Sequence, residues 1–117
     1  MRLLITIAAL ALSLPTLSAE PVNMSAKMVR PANPANYYPG KSFSRREEGA
    51  PMVRACVGAD GKLLRDPIVV ESSGFPDLDG AAIKVAKATR YAAGTENGSA
   101  LPESCIKFKV KFVLKNN

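Results

Sequence analysis

The sequence predicts an α+β domain: a three-stranded antiparallel sheet with one helix packed on one face. Two strand-like stretches flank the turn at Asp60-Gly61, a helical pattern begins near Pro76, and a strictly alternating stretch follows late in the chain. We expect the spatial strand order 63–71, 52–57, 105–114, which places the C-terminal strand at an edge of the sheet.

Residues 1–19 have the pattern of a secretory signal. Arg2 precedes an apolar run over 3–14, Pro15 breaks that run, and small residues follow up to Ala19. This pattern predicts export and cleavage after Ala19. The run is shorter than the roughly twenty residues that span a bilayer. The alternative is an uncleaved N-terminal anchor, and only then do we expect contact with a membrane.

Composition excludes several functional classes. The net charge of +6 falls to +5 without residues 1–19, because Arg2 is their only charged residue. With three Tyr, four Phe and no Trp, the chain is poor in stacking surfaces for nucleic acid. It has no histidine, the commonest general base and metal ligand. We therefore expect no nucleic acid, no small-molecule substrate, no metal and no cofactor.

No arrangement in the sequence favours catalysis. Asp77 and Asp79 lie two positions apart, so they would not face each other on a helix. Ser72 and Ser73 have no histidine to activate them. We expect no catalytic residue and no enzyme.

The segment before the first predicted strand lacks a sustained period. Residues 20–36 are rich in proline, alanine and asparagine, which predicts a flexible or extended lead-in and places the domain at 37–117. Tyr37-Tyr38-Pro39 introduces aromatic anchors before a turn. The charged residues 42–49 fit either a short helix or the start of a strand.

The first two strands should form a hairpin. In 52–57, Val53, Ala55 and Val57 share one face because strand side chains alternate. Asp60-Gly61 suits the positive φ angles of a tight turn. The second strand, 63–71, contains Pro67, which cannot donate a ladder hydrogen bond. We expect that strand to lie at an edge or to contain a bulge.

A helix is predicted from Pro76, which suits the first helical position, to a stop near Gly94. Acidic residues lie in its first turn and basic residues near its end, as the helix dipole favours. Its apolar stripe, which Ile83 does not join, consists of Leu78, Ala81, Ala82, Val85 and Ala88. Residues 93–104 are expected to form a loop.

The two cysteines are predicted to form a cross-strand disulfide. Cys105 has the parity of the lysines in its alternating strand, and Cys56 shares a face with Arg54, so both should point away from the core. Antiparallel pairing would bring the end of one strand beside the start of the other. Export favours oxidation. The alternative, a redox-active pair, lacks CxxC spacing.

Six motifs occur in a recognisable order: YYPG, VRACVGADGKL, VVESSG, LDGAA, TRYAAG and KFKVKF. Over roughly residues 37–115 the chain resembles the TonB C-terminal domain. That resemblance implies a non-enzymatic module in the periplasm of Gram-negative bacteria. It also implies binding to outer-membrane transport receptors, whose short N-terminal segment adds as a strand to the sheet.

The resemblance suggests two contact surfaces. We expect the partner to dock on the C-terminal edge strand, at Ile106, Lys107, Phe108, Lys109, Val110, Lys111 and Phe112. The segment Tyr37-Tyr38-Pro39 would be a second contact. Alternatively, the lysines only prevent aggregation at an edge, and the tyrosines only cap the core. Pairing of edge strands would also allow a homodimer.

Two features of the family's energy transducers are missing. Their membrane anchor carries a histidine, and this chain has none. Their periplasmic spacer is long, whereas residues 20–36 would reach at most about 60 Å. We therefore expect a TonB-like binding module rather than a complete energy transducer. The alternative is an envelope-surface protein whose basic face associates with anionic polymers or lipid headgroups.

Overall fold

The computed structural model describes residues 25–115. The signal predicted at 1–19 lies outside these residues. A one-turn 3-10 helix, Pro34–Tyr37, separates the first strand from the first α-helix. The other elements are β1 Lys27–Arg30, α1 Gly40–Ser44, β2 Met52–Val57, β3 Ile68–Glu71, α2 Pro76–Ala88, β4 Arg90–Ala92, β5 Thr95–Glu96, β6 Ser99–Ala100 and β7 Ser104–Lys109. Within 25–115, no helix is both long and apolar enough to span a membrane.

The central sheet confirms the predicted fold. Its three antiparallel strands lie in the order β3-β2-β7. Strand β2 pairs with β7 along its whole length, from Met52 opposite Lys109 to Val57 opposite Ser104. Val53, Ala55 and Val57 are fully buried, as the alternation predicted.

Both outer strands are shorter than predicted. Strand β3 begins only after Pro67, which is buried and has no N–H to donate, and Leu63 contributes a single bridge to Val57. Strand β7 ends at Lys109, but the chain stays paired beyond it. The Val110 N–H donates to the Pro51 carbonyl, and Gly49 and Phe112 exchange two hydrogen bonds.

The predicted turn between β2 and β3 requires its glycine. Gly61 has a φ of 81°, which favours glycine. A Cβ there would lie 2.5 Å from the carbonyl oxygen of Tyr91. The turn therefore packs directly against β4, and this close approach holds the sheet and the β4 segment together.

Helix α2 covers one face of the sheet. Four predicted stripe residues, from Leu78 to Val85, are buried against Val53, Val110 and Phe112. The prediction that Ala88 is the fifth stripe residue was wrong, because Ala88 is exposed and Ala86 is buried instead. Ala86 follows Ala82 by four residues and so continues the same face.

The structure differs from the predicted lead-in at residues 26–36. Strand β1 pairs with β4, and Ala26 is buried in a second cluster with Ala55, Val57 and Tyr91. The Tyr91 hydroxyl donates to the Ala86 carbonyl at 2.7 Å, and burial raises the pKa of Tyr91 to about 12. These contacts fix the N-terminal segment to the body of the domain.

The start of α2 is held by Asp79. Its carboxylate accepts hydrogen bonds from the Ser72 hydroxyl at 2.5 Å, the Ser73 hydroxyl at 2.7 Å and the Ser73 N–H at 2.8 Å. Burial alone would raise the pKa of Asp79, but these hydrogen bonds outweigh it and lower the pKa. Asp79 therefore stabilises the turn that directs the chain from β3 into α2.

The cysteines form the predicted disulfide. Cys56 and Cys105 lie directly opposite each other in the β2–β7 ladder, with their Cα atoms 4.0 Å apart. The bridge spans a sequence separation of 49 residues. Strand β3, helix α2 and the three short strands all lie within the loop that it closes.

Substitution Asp79→Asn is expected to destabilise the domain by about 1 kcal/mol at neutral pH, because it weakens the charge-assisted hydrogen bonds to Ser72 and Ser73. Because the folded-state pKa is lowered, this contribution is complete above the ordinary value of 3.8 and is lost as pH falls through the folded-state pKa. Urea unfolding as a function of pH measures it, with Asp77→Asn as control in the same turn. A pH-independent difference would contradict this account.

Replacing both cysteines by alanine is expected to reduce the free energy of unfolding by about 4 kcal/mol, because the unfolded chain loses the constraint of a 49-residue loop. Urea unfolding of the variant and of the chemically reduced wild type should agree. Unchanged stability in both would show that the bridge is not structural.

Candidate functional site

Strand β7 has β2 on one side only; among residues 25–115, no strand pairs with its other side. The N–H groups of Val110 and Phe112 point toward the β2 side, where they meet Pro51 and Gly49. Alternate residues of an antiparallel strand direct their main chain to opposite sides. The main-chain groups of Lys107, Lys109 and Lys111 therefore point outward. We call residues 106–112 the open edge.

The open edge has a defined beginning. The Ala26 N–H donates to the carbonyl of Cys105 at 3.1 Å, so the N-terminal segment already occupies the outward side of that residue. Beyond it the N-terminal segment turns away to pair with β4. An added strand would therefore start its pairing at Lys107.

The two faces of the open edge differ in chemistry. Val110 and Phe112 are buried beneath α2, and Phe108 is half-buried beside them. Lys107, Lys109 and Lys111 are exposed on the opposite face. The salt bridges within 25–115 join other residues, namely Arg45 with Glu47, Arg65 with Glu103 and Lys87 with Asp66.

An apolar groove of about 260 Å³ runs beside the open edge. Val85 and Thr89 of α2 form one part of its wall. Thr89 donates to the Val85 carbonyl and accepts from the Ala32 N–H at 3.1 Å, which fixes the N-terminal wall in place. That wall consists of Met28, Pro31, Ala32 and Pro34, and residues 108–111 complete the groove. We call this the edge groove.

Tyr38 is an anchor of the fold. Its ring packs edge-on against Phe43 and Phe112, with centroid distances of 5.6 and 5.4 Å. Its hydroxyl donates to the Glu47 carbonyl. Burial, followed by the negative charges of Glu48 and Glu47, raises the pKa of the Tyr38 hydroxyl.

The structure separates the three residues of the predicted second contact. Tyr38 lines a groove of about 510 Å³ at the C-terminal end of the open edge, where Phe43 and Val113 are 59% and 60% exposed. Tyr37 and Pro39 instead line a depression against the first turns of α2. Only Tyr38 thus lies beside the predicted docking strand.

Sequence reasoning missed the groove walls. The sequence pattern did not decide the structure of the segments that contain Met28, Ala32 and Phe43. Phe43 is an isolated apolar residue among charged neighbours. The one available signal was that apolar residues recur through the proline-rich segment. Their positions depend on the pairing of β1 with β4, which a local pattern does not reveal.

The described residues contain one cluster of possible metal ligands. Cys56, Cys105 and Glu103 have ligand atoms within 4.8 Å of one another. Both sulfurs are joined in the disulfide, so neither is a thiolate that could ligate a metal. This cluster provides structural stability rather than a metal centre.

Comparison with protein families agrees with the geometry. The family model described as Gram-negative bacterial TonB protein C-terminal matches residues 34–114. The chain belongs to this family. The match begins at the 3-10 helix, a little before the predicted boundary at residue 37, and confirms the resemblance found in the motifs. Neither curated proteins nor solved structures gave a significant match.

Family membership supports a protein-binding role. TonB C-terminal domains are periplasmic, non-enzymatic modules of Gram-negative bacteria that interact with outer-membrane proteins. A protein partner is thus the expected ligand class. Among residues 25–115, the open edge and the edge groove have a geometry that suits an extended polypeptide.

Substitution Phe112→Ala is expected to cost about 4 kcal/mol of stability, because it leaves a cavity beneath α2 and removes the ring that holds Tyr38. Its neighbour Val113 is 60% exposed, so Val113→Ala should change stability by less than about 0.5 kcal/mol. Urea unfolding compares the two. If the two substitutions reduced the free energy of unfolding by similar amounts, burial of the Phe112 ring would not be what stabilises this part of the domain.

Proposed function

We propose that this chain is an exported periplasmic binding module that captures an extended segment of an outer-membrane or envelope protein by strand addition. The observation that carries the proposal is the row of outward main-chain groups at Lys107, Lys109 and Lys111. A peptide pairing there would extend the sheet from three strands to four.

Strand addition satisfies two physical requirements at once. Main-chain hydrogen bonds to the open edge would supply affinity without regard to sequence. Alternate side chains of the partner would enter the edge groove and bury apolar surface against Met28, Ala32 and Val85. The open edge would therefore provide affinity through its main-chain groups, and the edge groove would select the side chains of the partner.

A second candidate function is association with anionic polymers or lipid headgroups. The observation that favours it is the net charge of +5 without residues 1–19, together with a depression lined by Lys62, Lys87 and Arg90 beside Asp60. Such binding would depend mainly on surface charge and would be abolished at high salt. Strand addition would keep the part of its affinity that comes from main-chain bonds and groove burial.

Substitution Lys109→Pro is expected to abolish binding of synthetic peptides that cover the N-terminal segments of TonB-dependent outer-membrane receptors. Proline removes the outward N–H of residue 109 but leaves the hydrogen bonds between β7 and β2 in place. Lys109→Ala, which keeps that N–H, is the matched control and should retain most of the affinity. Isothermal titration calorimetry measures both.

The same experiment needs a stability control. Both variants should unfold cooperatively at urea concentrations close to that of the wild type, because Lys109 is exposed. If folded Lys109→Pro protein binds these peptides as tightly as Lys109→Ala protein, the open edge is not the docking site.

A further inference from the structure

We propose that the partner strand is amphipathic, with acidic residues at alternate positions and small apolar residues between them. Lys107, Lys109 and Lys111 would be its specificity-determining residues. This inference rests on the proposed function, because it describes the chemistry of the segment that adds to the open edge.

The register of an added strand places its side chains on two faces. A partner residue opposite an outward-facing residue of β7 shares two main-chain hydrogen bonds with it, and both side chains project to the same face of the sheet. The residues that face outward are Lys107, Lys109 and Lys111. Three alternate partner side chains would thus lie beside lysines, with Cβ atoms about 5 Å apart.

None of the three lysines forms a salt bridge within residues 25–115. Successive lysines lie two residues apart, or about 7 Å along the strand. On the neighbouring strand, exposed Arg54 lies opposite Lys107 and adds a fourth cation. Two acidic residues lie near in the sheet register. Glu71 is one strand further away opposite Met52, and Glu48 precedes Gly49, the partner of Phe112, with its carboxylate accepting from the Leu114 N–H. Acidic residues on an added strand would relieve this repulsion, whereas neutral ones would leave it unchanged.

The other face of the added strand meets a different environment. Partner residues opposite Phe108 and Val110 would project toward the edge groove, whose wall is formed by Val85 and the apolar part of the N-terminal segment. The groove volume of about 260 Å³ suits small apolar side chains such as alanine and valine. One strand satisfies both faces only if acidic and apolar residues alternate.

The same lysines disfavour a second copy of this chain as the occupant. If two open edges paired in antiparallel orientation, every hydrogen-bonded pair would join outward-facing residues of β7. All of these are lysines between 107 and 111, so lysine would lie opposite lysine throughout. The charge pattern therefore selects an acidic partner strand over the homodimer that an open edge would otherwise permit.

The test uses three capped synthetic peptides and the exported chain with its disulfide intact. The first peptide alternates glutamate with valine and alanine. The second has glutamine in place of each glutamate, and the third has the composition of the first with its glutamates contiguous. We expect the first to bind about tenfold more tightly than either of the others, as several exposed cross-strand charge pairs would give. The advantage over the glutamine peptide should fade at about 1 M salt.

A pair of charge-matched variants assigns the effect to the open edge. K107Q/K109Q/K111Q should lose the preference for the alternating peptide, with little change in binding of the glutamine peptide. K41Q/K62Q/K84Q removes the same charge from exposed lysines elsewhere and should keep the preference. Equal affinity for the alternating and glutamine peptides, or loss of preference in both variants, would overturn the inference.

The outcomes also separate this inference from the proposed function. If alternating and glutamine peptides bind equally and Lys109→Pro abolishes both, strand addition stands and the acidic preference is refuted. If the contiguous peptide binds as well as the alternating one, the lysines attract anionic polymers without strand register, and the inference is again refuted. If no peptide binds, both proposals fail.

Discussion

The pairing of β2 with β7 is the constraint on which the rest of this structure depends. It aligns the inward residues of the two strands, so that Val53 joins the cluster beneath α2, while Ala55 and Val57 join the second cluster with Ala26 and Tyr91. It also places the two cysteines opposite each other. Because β2 occupies one side of β7, the other side forms the open edge. Core, disulfide and candidate site thus all result from one antiparallel pair.

In the candidate site, the backbone and the side chains have different proposed roles: the backbone would provide affinity and the side chains would provide selectivity. Main-chain groups of residues 107, 109 and 111 provide pairing that any extended chain could use. In the proposed complex, the lysine side chains on one face and the edge groove on the other would restrict which partner sequences bind. Under the proposed function, a small domain without histidine would recognise its partner through the arrangement of one strand and its neighbours.

The sequence predicted those parts of the fold that a local pattern encodes. Alternation in 52–57 and 106–112 revealed both ladder partners and the facing cysteines, and Pro76 marked the start of α2. It did not reveal β1, because a strand of four residues depends on β4, which is about sixty residues away. The C-terminal edge strand was therefore predictable, whereas the groove wall from Met28 to Pro34 was not. Strand ends also shifted where Pro67 and the pairing of Gly49 with Phe112 altered the ladder.

The disulfide has a consequence for strand register. A slip of β7 against β2 by one residue would turn Lys107, Lys109 and Lys111 toward the helix and expose Phe108 and Phe112 to water. The main-chain pairing alone does not choose between registers, so the buried apolar face and the covalent cross-link specify the native one. The covalent bond between residues 56 and 105 excludes the slipped state, since it joins residues directly opposite each other. The cross-link therefore keeps the lysine face of β7 toward solvent and its apolar face toward the core.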